Sequence, residues 1–125
     1  MIGVSFDGTG FGEDGNIWGG EFFTGTLKGL KRAAHFDYAR MPGMDMAVKE
    51  PWRMALSYLY QVYGKDAQAR GRELIPGYDM SRSGAMLEMI ERGISSPFTS
   101  SAGRLFDAVA SKVFVLCCSL VFSWF

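Results

Sequence analysis

The sequence predicts a single α/β domain in which an N-terminal antiparallel strand meander is packed by helices. Three observations predict it: short apolar runs separated by glycines before residue 40, helical periodicity after residue 50, and a length of 125 residues, enough for one modest core. Apolar residues make up 48% and charged residues 21%, which is typical of a globular domain rather than a disordered one.

Three strands are expected in the first part of the chain. Residues 1–6 are a short apolar run and are expected to form a strand buried on both faces. Residues 7–15 are rich in Gly and Asp and should form a loop, after which residues 16–23 and 30–38 resume strand patterns. Because such a meander needs a covering layer, the rest of the chain is expected to supply helices.

Helices are expected in the remainder of the chain. Pro51 suits the first turn of a helix that runs to about residue 63. Residues 66–76 are polar and should be irregular or partly helical. A helix over residues 83–91, closed by Gly93, follows, and a final helix is expected to be capped by Thr99 or Ser100.

Charge and cysteine usage limit the partners and the compartment. Thirteen basic residues balance thirteen acidic ones, so there is no electrostatic reason to expect nucleic acid or an anionic membrane as partner. Any phosphate site must then be local and built from backbone N–H groups. Cys117 and Cys118 are adjacent and unsuited to a disulfide, which favours a reducing, cytoplasmic location. The apolar C-terminal run is shorter than a membrane span, which takes roughly 20 residues.

The segment Asp7 to Gly10, DGTG, is the first candidate site because it follows directly after a predicted strand. Glycines let a backbone approach an oxygen-rich ligand, and successive N–H groups can converge on a phosphate. The Asp7 carboxylate could hold a metal ion or orient a nucleophile. The same residues also suit a hairpin loop in which Asp7 caps its own turn, and spacing alone favours that interpretation.

Asp107, early in the final predicted helix, is the second candidate. Its carboxylate could point into a cleft and accept hydrogen bonds from hydroxyl groups such as those of a ribose. An acidic side chain near a helix start also interacts favourably with the helix dipole, and the pattern alone favours this structural role. The spacing of residues alone therefore does not show that either the DGTG segment or Asp107 binds a ligand.

Three longer blocks are more specific: GVSFDGTGFGEDGNIWGGEFF at residues 3–23, MPGMDMAVKEPWRMAL at 41–56 and SSPFTSSAGRLFDAVA at 95–110. In this order and at these separations they resemble the HypF carbamoyltransferases, which mature nickel–iron hydrogenases. The resemblance covers residues 2–111 and implies that residues 1–111 are a partial Kae1-like domain of the actin/hexokinase-like (ASKHA) fold. Residues 112–125 are interpreted as a divergent apolar tail, consistent with frameshifted or unrelated translation.

The resemblance implies an enzyme that transfers a carbamoyl group. Members of the family convert carbamoyl phosphate and ATP to carbamoyl adenylate in a separate domain, and the Kae1-like domain carbamoylates the C-terminal cysteine of the partner protein HypE. Carried over by position, Asp7 would be a ligand of a divalent metal, zinc or iron. Gly8, Thr9 and Gly10 would face the nucleotide phosphates, and Asp107 would meet the ribose.

Parts of the family pattern are absent from this sequence. The histidine-rich metal motif is expected before residue 1, and a glycine-rich DGG loop is expected after residue 111. Where the family usually has two glycines, this chain has Gly43-Met44. We therefore expect the metal site to be incomplete and the chain alone to be inactive. The alternative is a module that binds a nucleotide or a protein without catalysis.

Overall fold

The computed structural model describes the backbone of residues 1–121 and the side chains of residues 1–112. The predicted α/β class and the antiparallel N-terminal meander are confirmed. The predicted tail lies largely outside the described side chains, so its divergence stays a prediction. The described elements are β1 (Ile2–Phe11), β2 (Ile17–Thr26), β3 (Gly29–His35), β4 (Ala39–Arg40), α1 (Asp45–Lys49), α2 (Trp52–Tyr63), α3 (Ala67–Leu74), α4 (Met80–Arg92), β5 (Phe98–Thr99) and α5 (Ala102–Val121).

The sheet is centred on β2. Strand β1 pairs with one edge of β2 in antiparallel register, and β3 pairs antiparallel with the later part of the other edge. Strand β5 joins β2 in parallel, with Ile17 opposite Thr99, and β4 pairs antiparallel with β5. This topology places the start of α5 beside the β1–β2 hairpin, although the two are far apart in the sequence.

Strand β1 continues through the DGTG segment, so the prediction of a loop from residue 7 was wrong. Phe6 lies opposite Gly20 and Gly10 lies opposite Trp18, so β1 uses four steps where β2 uses two. Extra residues of this kind form a β-bulge, and glycine suits a bulge as well as it suits a loop. The connecting loop is confined to residues 12–16.

The first half of β1 is exposed, so the prediction that it is buried on both faces was also wrong. Ile2 is 79% exposed and Val4 is 56% exposed, because no layer of the described residues covers this face. Phe6 packs against the rings of Phe36 and Phe22, at centroid distances of 5.2 and 5.8 Å. The apolar pattern of β1 therefore reflects a strand that is open on this side rather than a buried one.

Helix α2 is the centre of the core and begins after Pro51, as predicted. It contributes to two buried clusters, and its residues Trp52 and Leu59 pack against both. One cluster joins α2 to β4 and to α5, and the other joins it to α3 and α4. The buried members are Ala39, Met41, Ala47, Met54, Ala55, Ile75 and Ala108 in the first cluster, and Leu56, Ala67, Met86 and Ile90 in the second.

Glu50 connects the start of α2 to α4. Its carboxylate accepts hydrogen bonds from both terminal nitrogens of Arg82 at 2.9 Å and from Nε of Arg53 at 2.5 Å. These contacts, the one from Arg82 first, lower the pKa of Glu50 to about 2. The block EPWRMAL is therefore held by an ion-pair network as well as by apolar packing.

Met44 is strained in this fold. It has φ 52° and ψ −115°, and the preceding Gly43 has φ 82°. Only glycine occupies the Met44 region at low cost, so a side chain there costs about 1–3 kcal/mol. Met44, in the place where the family usually has a second glycine, therefore carries a strain energy that the sequence pattern does not reveal.

Among the residues that the structure describes, no helix has both the length and the apolar character needed to cross a bilayer.

Candidate functional site

The candidate site lies where three backbone segments meet with almost no side chains between them: the β1 bulge, the Gly19-Gly20 pair of β2 and the start of α5. We call this arrangement the backbone stack. A Cβ atom on Gly19 would lie 2.5 Å from the carbonyl oxygen of Asp7. One on Gly103 would lie 2.7 Å from the Cα atom of Gly8. Such distances are too short for non-bonded atoms, so these two positions require glycine.

Ser101 ties the bulge to α5. Its hydroxyl lies 2.6 Å from the carbonyl oxygen of Asp7 and 2.9 Å from that of Gly8, and it donates to this pair of acceptors. The same oxygen accepts from the backbone N–H of Arg104 at 3.2 Å, which caps the helix. The predicted caps, Thr99 or Ser100, were therefore one or two residues early. Because one hydroxyl serves both segments, α5 cannot shift without moving the bulge.

Glu21 is buried next to the backbone stack and is only 1% exposed. Its Oε2 atom accepts hydrogen bonds from the N–H groups of Gly19 at 2.6 Å and Gly20 at 2.8 Å. Its Oε1 atom accepts from the hydroxyl of Ser100. A buried carboxylate is tolerated only when it is hydrogen-bonded in this way, and the contacts join β2 to the segment that leads into α5.

Asp7 stabilises the bulge locally. It is exposed, and its Oδ1 atom accepts from the backbone N–H of Gly8 at 2.6 Å. This is the self-capping contact of the hairpin interpretation, although it occurs in a bulge and not in a loop. Thr9 is exposed, whereas Gly8 and Gly10 are half-buried. The DGTG segment therefore presents its backbone and the Thr9 side chain at the surface above α5.

Arg104 brings Asp107 to the same place. Its Nη1 atom lies 2.9 Å from Oδ2 of Asp107, one helical turn further along α5. Its Nη2 atom lies beside Gly8, where an added Cβ would be 3.4 Å away. The structure thus brings together the two candidates that the sequence suggested, with one guanidinium between them.

The loop that follows the bulge is ordered by Asp14. Its carboxylate accepts hydrogen bonds from the Tyr38 hydroxyl at 2.6 Å, the Trp18 indole at 2.8 Å and the Arg32 guanidinium at 2.9 Å. These contacts, the one from Tyr38 first, hold the pKa of Asp14 well below its usual range. The Arg32 guanidinium also stacks on the Trp18 ring, 3.9 Å from its centroid. The loop is therefore closed by contacts outside the backbone stack.

Sequence reasoning missed three members of this site, although each had a signal. Glu21 is a charged residue inside an apolar strand run, and such a residue is buried only when its partners are provided. Arg104 is a cation in the first turn of a helix, where the dipole disfavours it, so a specific partner is required. Ser101 is a preferred N-cap residue type directly before α5.

No group of three potential metal ligands lies together among the residues whose side chains are described. At the bulge, Asp7 supplies a single carboxylate. These residues do not form a metal site by themselves, and the assignment of Asp7 as a metal ligand stays a prediction.

Comparison with known proteins supports the fold and the family. A family model described as "Carbamoyltransferase, Kae1-like Domain, second subdomain" matches residues 3–120. A carbamoyltransferase HypF homolog of Cupriavidus necator is 37% identical over 113 residues, which cover 90% of this chain and 28% of that protein. The carbamoyltransferase HypF of Rhodobacter capsulatus is 42% identical over 108 residues, which cover 86% of this chain and 14% of that protein.

Two solved structures share the fold. Full-length HypF in its phosphate- and nucleotide-bound form has a TM-score of 0.79 and 36% identity, over 92% of this chain and 15% of that one. HypF of T. kodakarensis has a TM-score of 0.71 and 32% identity, over 89% of this chain and 15% of that one. These matches confirm the predicted Kae1-like fold. The chain spans 28% or less of these relatives.

Proposed function

Because this chain belongs to the HypF carbamoyltransferase family, we propose that it is the part of such an enzyme that binds the nucleotide end of carbamoyl adenylate. The observation that carries the proposal is the meeting of the β1 bulge and Asp107 at the start of α5. A relative of the same fold has been solved in a phosphate- and nucleotide-bound form, which supports a nucleotide as the ligand class.

Each part of the site has a role in this proposal. Gly8, Thr9 and Gly10 approach the phosphate, since two of the three have no side chain to keep a ligand away from the backbone. The N-terminus of α5 lies under the bulge, and its dipole favours an anion at this point. Asp107 accepts hydrogen bonds from ribose hydroxyl groups. Asp7 would supply one ligand of a divalent metal in the complete protein, and no step is drawn through that metal.

The chemistry proposed for the complete protein is acyl transfer. ATP and carbamoyl phosphate supply the carbamoyl adenylate, and the acceptor is the C-terminal cysteine thiolate of a HypE-type protein. The sulfur attacks the carbamoyl carbon and forms a C–S bond, the bond from that carbon to the adenylate oxygen breaks, and AMP leaves with the electron pair. Donors held at the phosphate stabilise the charge that develops on this leaving group.

Nucleotide binding is tested by calorimetric titration of the purified 125-residue chain with ATP and AMP. We expect the wild type to bind and Asp107→Asn to weaken binding about tenfold, because a charged acceptor for the ribose is lost. Asp45→Asn is the matched control, since Asp45 is an exposed acid at the start of α1. A wild-type chain that binds neither nucleotide would contradict the proposal.

Carbamoyl transfer is tested with labelled carbamoyl phosphate, ATP and a HypE-type acceptor. We expect no transfer by this chain alone, because it spans 28% or less of its relatives and matches a single subdomain of the family. Label appearing on the acceptor would show that the chain is a complete enzyme and would refute this expectation.

A further inference from the structure

The guanidinium of Arg104 occupies an unusual position in the backbone stack. Its side chain is only 10% exposed, and it lies between the Gly8 backbone and the Asp107 carboxylate. The Nε and Nη1 atoms are buried without a hydrogen-bond partner among the described residues, and so is Oδ2 of Asp107. The contact of 2.9 Å between Nη1 and Oδ2 is thus a pairing of charges and not a directed hydrogen bond.

This pairing makes the two oxygens of Asp107 unequal. Oδ2 is buried against Arg104, while the Asp107 side chain as a whole remains 28% exposed. Oδ1 is therefore the carboxylate oxygen that a ligand can reach. Without the guanidinium the carboxylate could rotate freely about its last bond, and neither oxygen would have a fixed direction.

We infer that Arg104 is a positioning residue that fixes the direction of Asp107 Oδ1 and so sets the preference of the site for ribose over deoxyribose. The inference rests on the proposed nucleotide function. Arg104 acts through Asp107, because its Nε and Nη1 atoms are buried on the side where Nη1 meets that carboxylate.

The bulge holds Arg104 in this position. The backbone N–H of Arg104 donates to the Ser101 hydroxyl, which in turn donates to the bulge carbonyls. Its Nη2 atom fits beside Gly8, where any side chain would meet it. Lysine has no planar fork and cannot lie against Gly8 and Asp107 at once. Gly8, at the proposed phosphate region, and Asp107, at the proposed ribose region, are therefore coupled through Arg104.

The test compares the affinities of the full chain for ATP, 2′-deoxy-ATP and 3′-deoxy-ATP by titration calorimetry. We expect the wild type to prefer ATP over at least one deoxynucleotide by about tenfold or more, the effect of one hydrogen bond to a charged acceptor. Asp107→Asn and Arg104→Gln should both reduce this preference to less than about threefold, while Arg104→Gln leaves affinity for the deoxynucleotide within about twofold.

Two further variants complete the test of the Arg104 inference, one as a second substitution and one as a control. Arg104→Lys keeps the charge and most of the volume, so it serves if Arg104→Gln does not fold, and it should also lose most of the preference. Arg92→Gln is the control, because Arg92 forms an exposed ion pair with Glu88 at the far end of α4. A purely structural role of Arg104 would lower affinity for all three nucleotides equally and leave their ratio unchanged.

The outcomes separate the inference from the proposed function. If Arg104→Lys or a folded Arg104→Gln retains the wild-type preference, the inference is wrong and the nucleotide site stands. If the wild type shows no preference, or Asp107→Asn retains it, the ribose role of Asp107 is wrong and the inference falls with it. If the wild type binds none of the three nucleotides, the proposed function itself is wrong.

Discussion

The two ends of the β1–β2 hairpin are built in opposite ways. At the outer end, Ile2 and Val4 expose apolar side chains to solvent and contact little beyond their own sheet. At the inner end, backbone atoms of three segments touch, and Glu21 and Ser101 are buried polar residues with their hydrogen bonds satisfied. The outer end requires only residues that favour strands. The inner end requires the hydrogen-bonding side chains of Glu21 and Ser101, and it requires glycine where a Cβ atom would clash.

Glu21→Ala is the change that should damage the inner end most. It leaves two backbone N–H groups and one hydroxyl without their buried acceptor, which should lower the free energy of unfolding by about 3 kcal/mol. Chemical denaturation measures this. Glu21→Gln is the matched control, because its amide oxygen can accept from both N–H groups and its amide nitrogen can donate to the Ser100 hydroxyl oxygen. An equal loss in the two variants would contradict this account.

Adding one methyl group at each end tests the comparison directly. A Cβ on Gly20 would lie 2.2 Å from the carbonyl oxygen of Ser100, so Gly20→Ala must move backbone and should cost about 2 kcal/mol. At the outer end, the nearest atom to a Cβ on Gly3 is 3.8 Å away, so Gly3→Ala should be neutral or slightly stabilising. Thermal unfolding of the two variants checks this, and similar melting temperatures would refute it.

Acid should have a milder effect, at the loop that follows the inner end and that Asp14 closes from outside the backbone stack. The folded-state pKa of Asp14 is depressed, so its contribution to stability is fully present above its ordinary value of 3.8 and is lost as the pH falls below it. Urea unfolding between about pH 2.5 and about pH 6 should show the loss, and Asp14→Asn should remove this part of the pH dependence. Parallel curves for the two proteins would contradict the assignment.

The smallest effect is expected at the outer end. Val4→Thr keeps the β-branched shape and places a hydroxyl where the side chain is already 56% exposed, so stability should change by less than about 0.5 kcal/mol. Denaturant titration measures it. A loss above about 1 kcal/mol would show that this face is buried in solution and would end the contrast between the two ends.

Prediction from sequence succeeded where one local rule was enough. Pro51 begins α2 and Gly93 ends α4 in a left-handed conformation, and both could be recognised from residue type. Helix α4 begins at Met80, three residues earlier than predicted, because the side chain of Asp79 caps it by accepting from the N–H groups of Ser81 and Arg82. A capping aspartate inside a polar stretch gives no periodic signal.

The site could be predicted only in part. Asp7, Gly8 and Asp107 were singled out because their types and neighbours suggest chemistry, and the structure places them together. These residues meet because β5, a strand of only two residues, pairs with β2 at Ile17. No local sequence pattern predicts this pairing. Arg104 and Glu21 depend on that same long-range contact, so their roles could not follow from spacing.

The register of the bulge has a consequence for how this hairpin can change. Between the pairs Phe6–Gly20 and Gly10–Trp18, β1 carries two residues more than β2. Strand side chains alternate with a period of two, so an even excess leaves every flanking side chain on its own face. Deleting Gly8 and Thr9 should therefore leave a hairpin with its pleat intact and without the bulge, and circular dichroism of the variant would check that it folds.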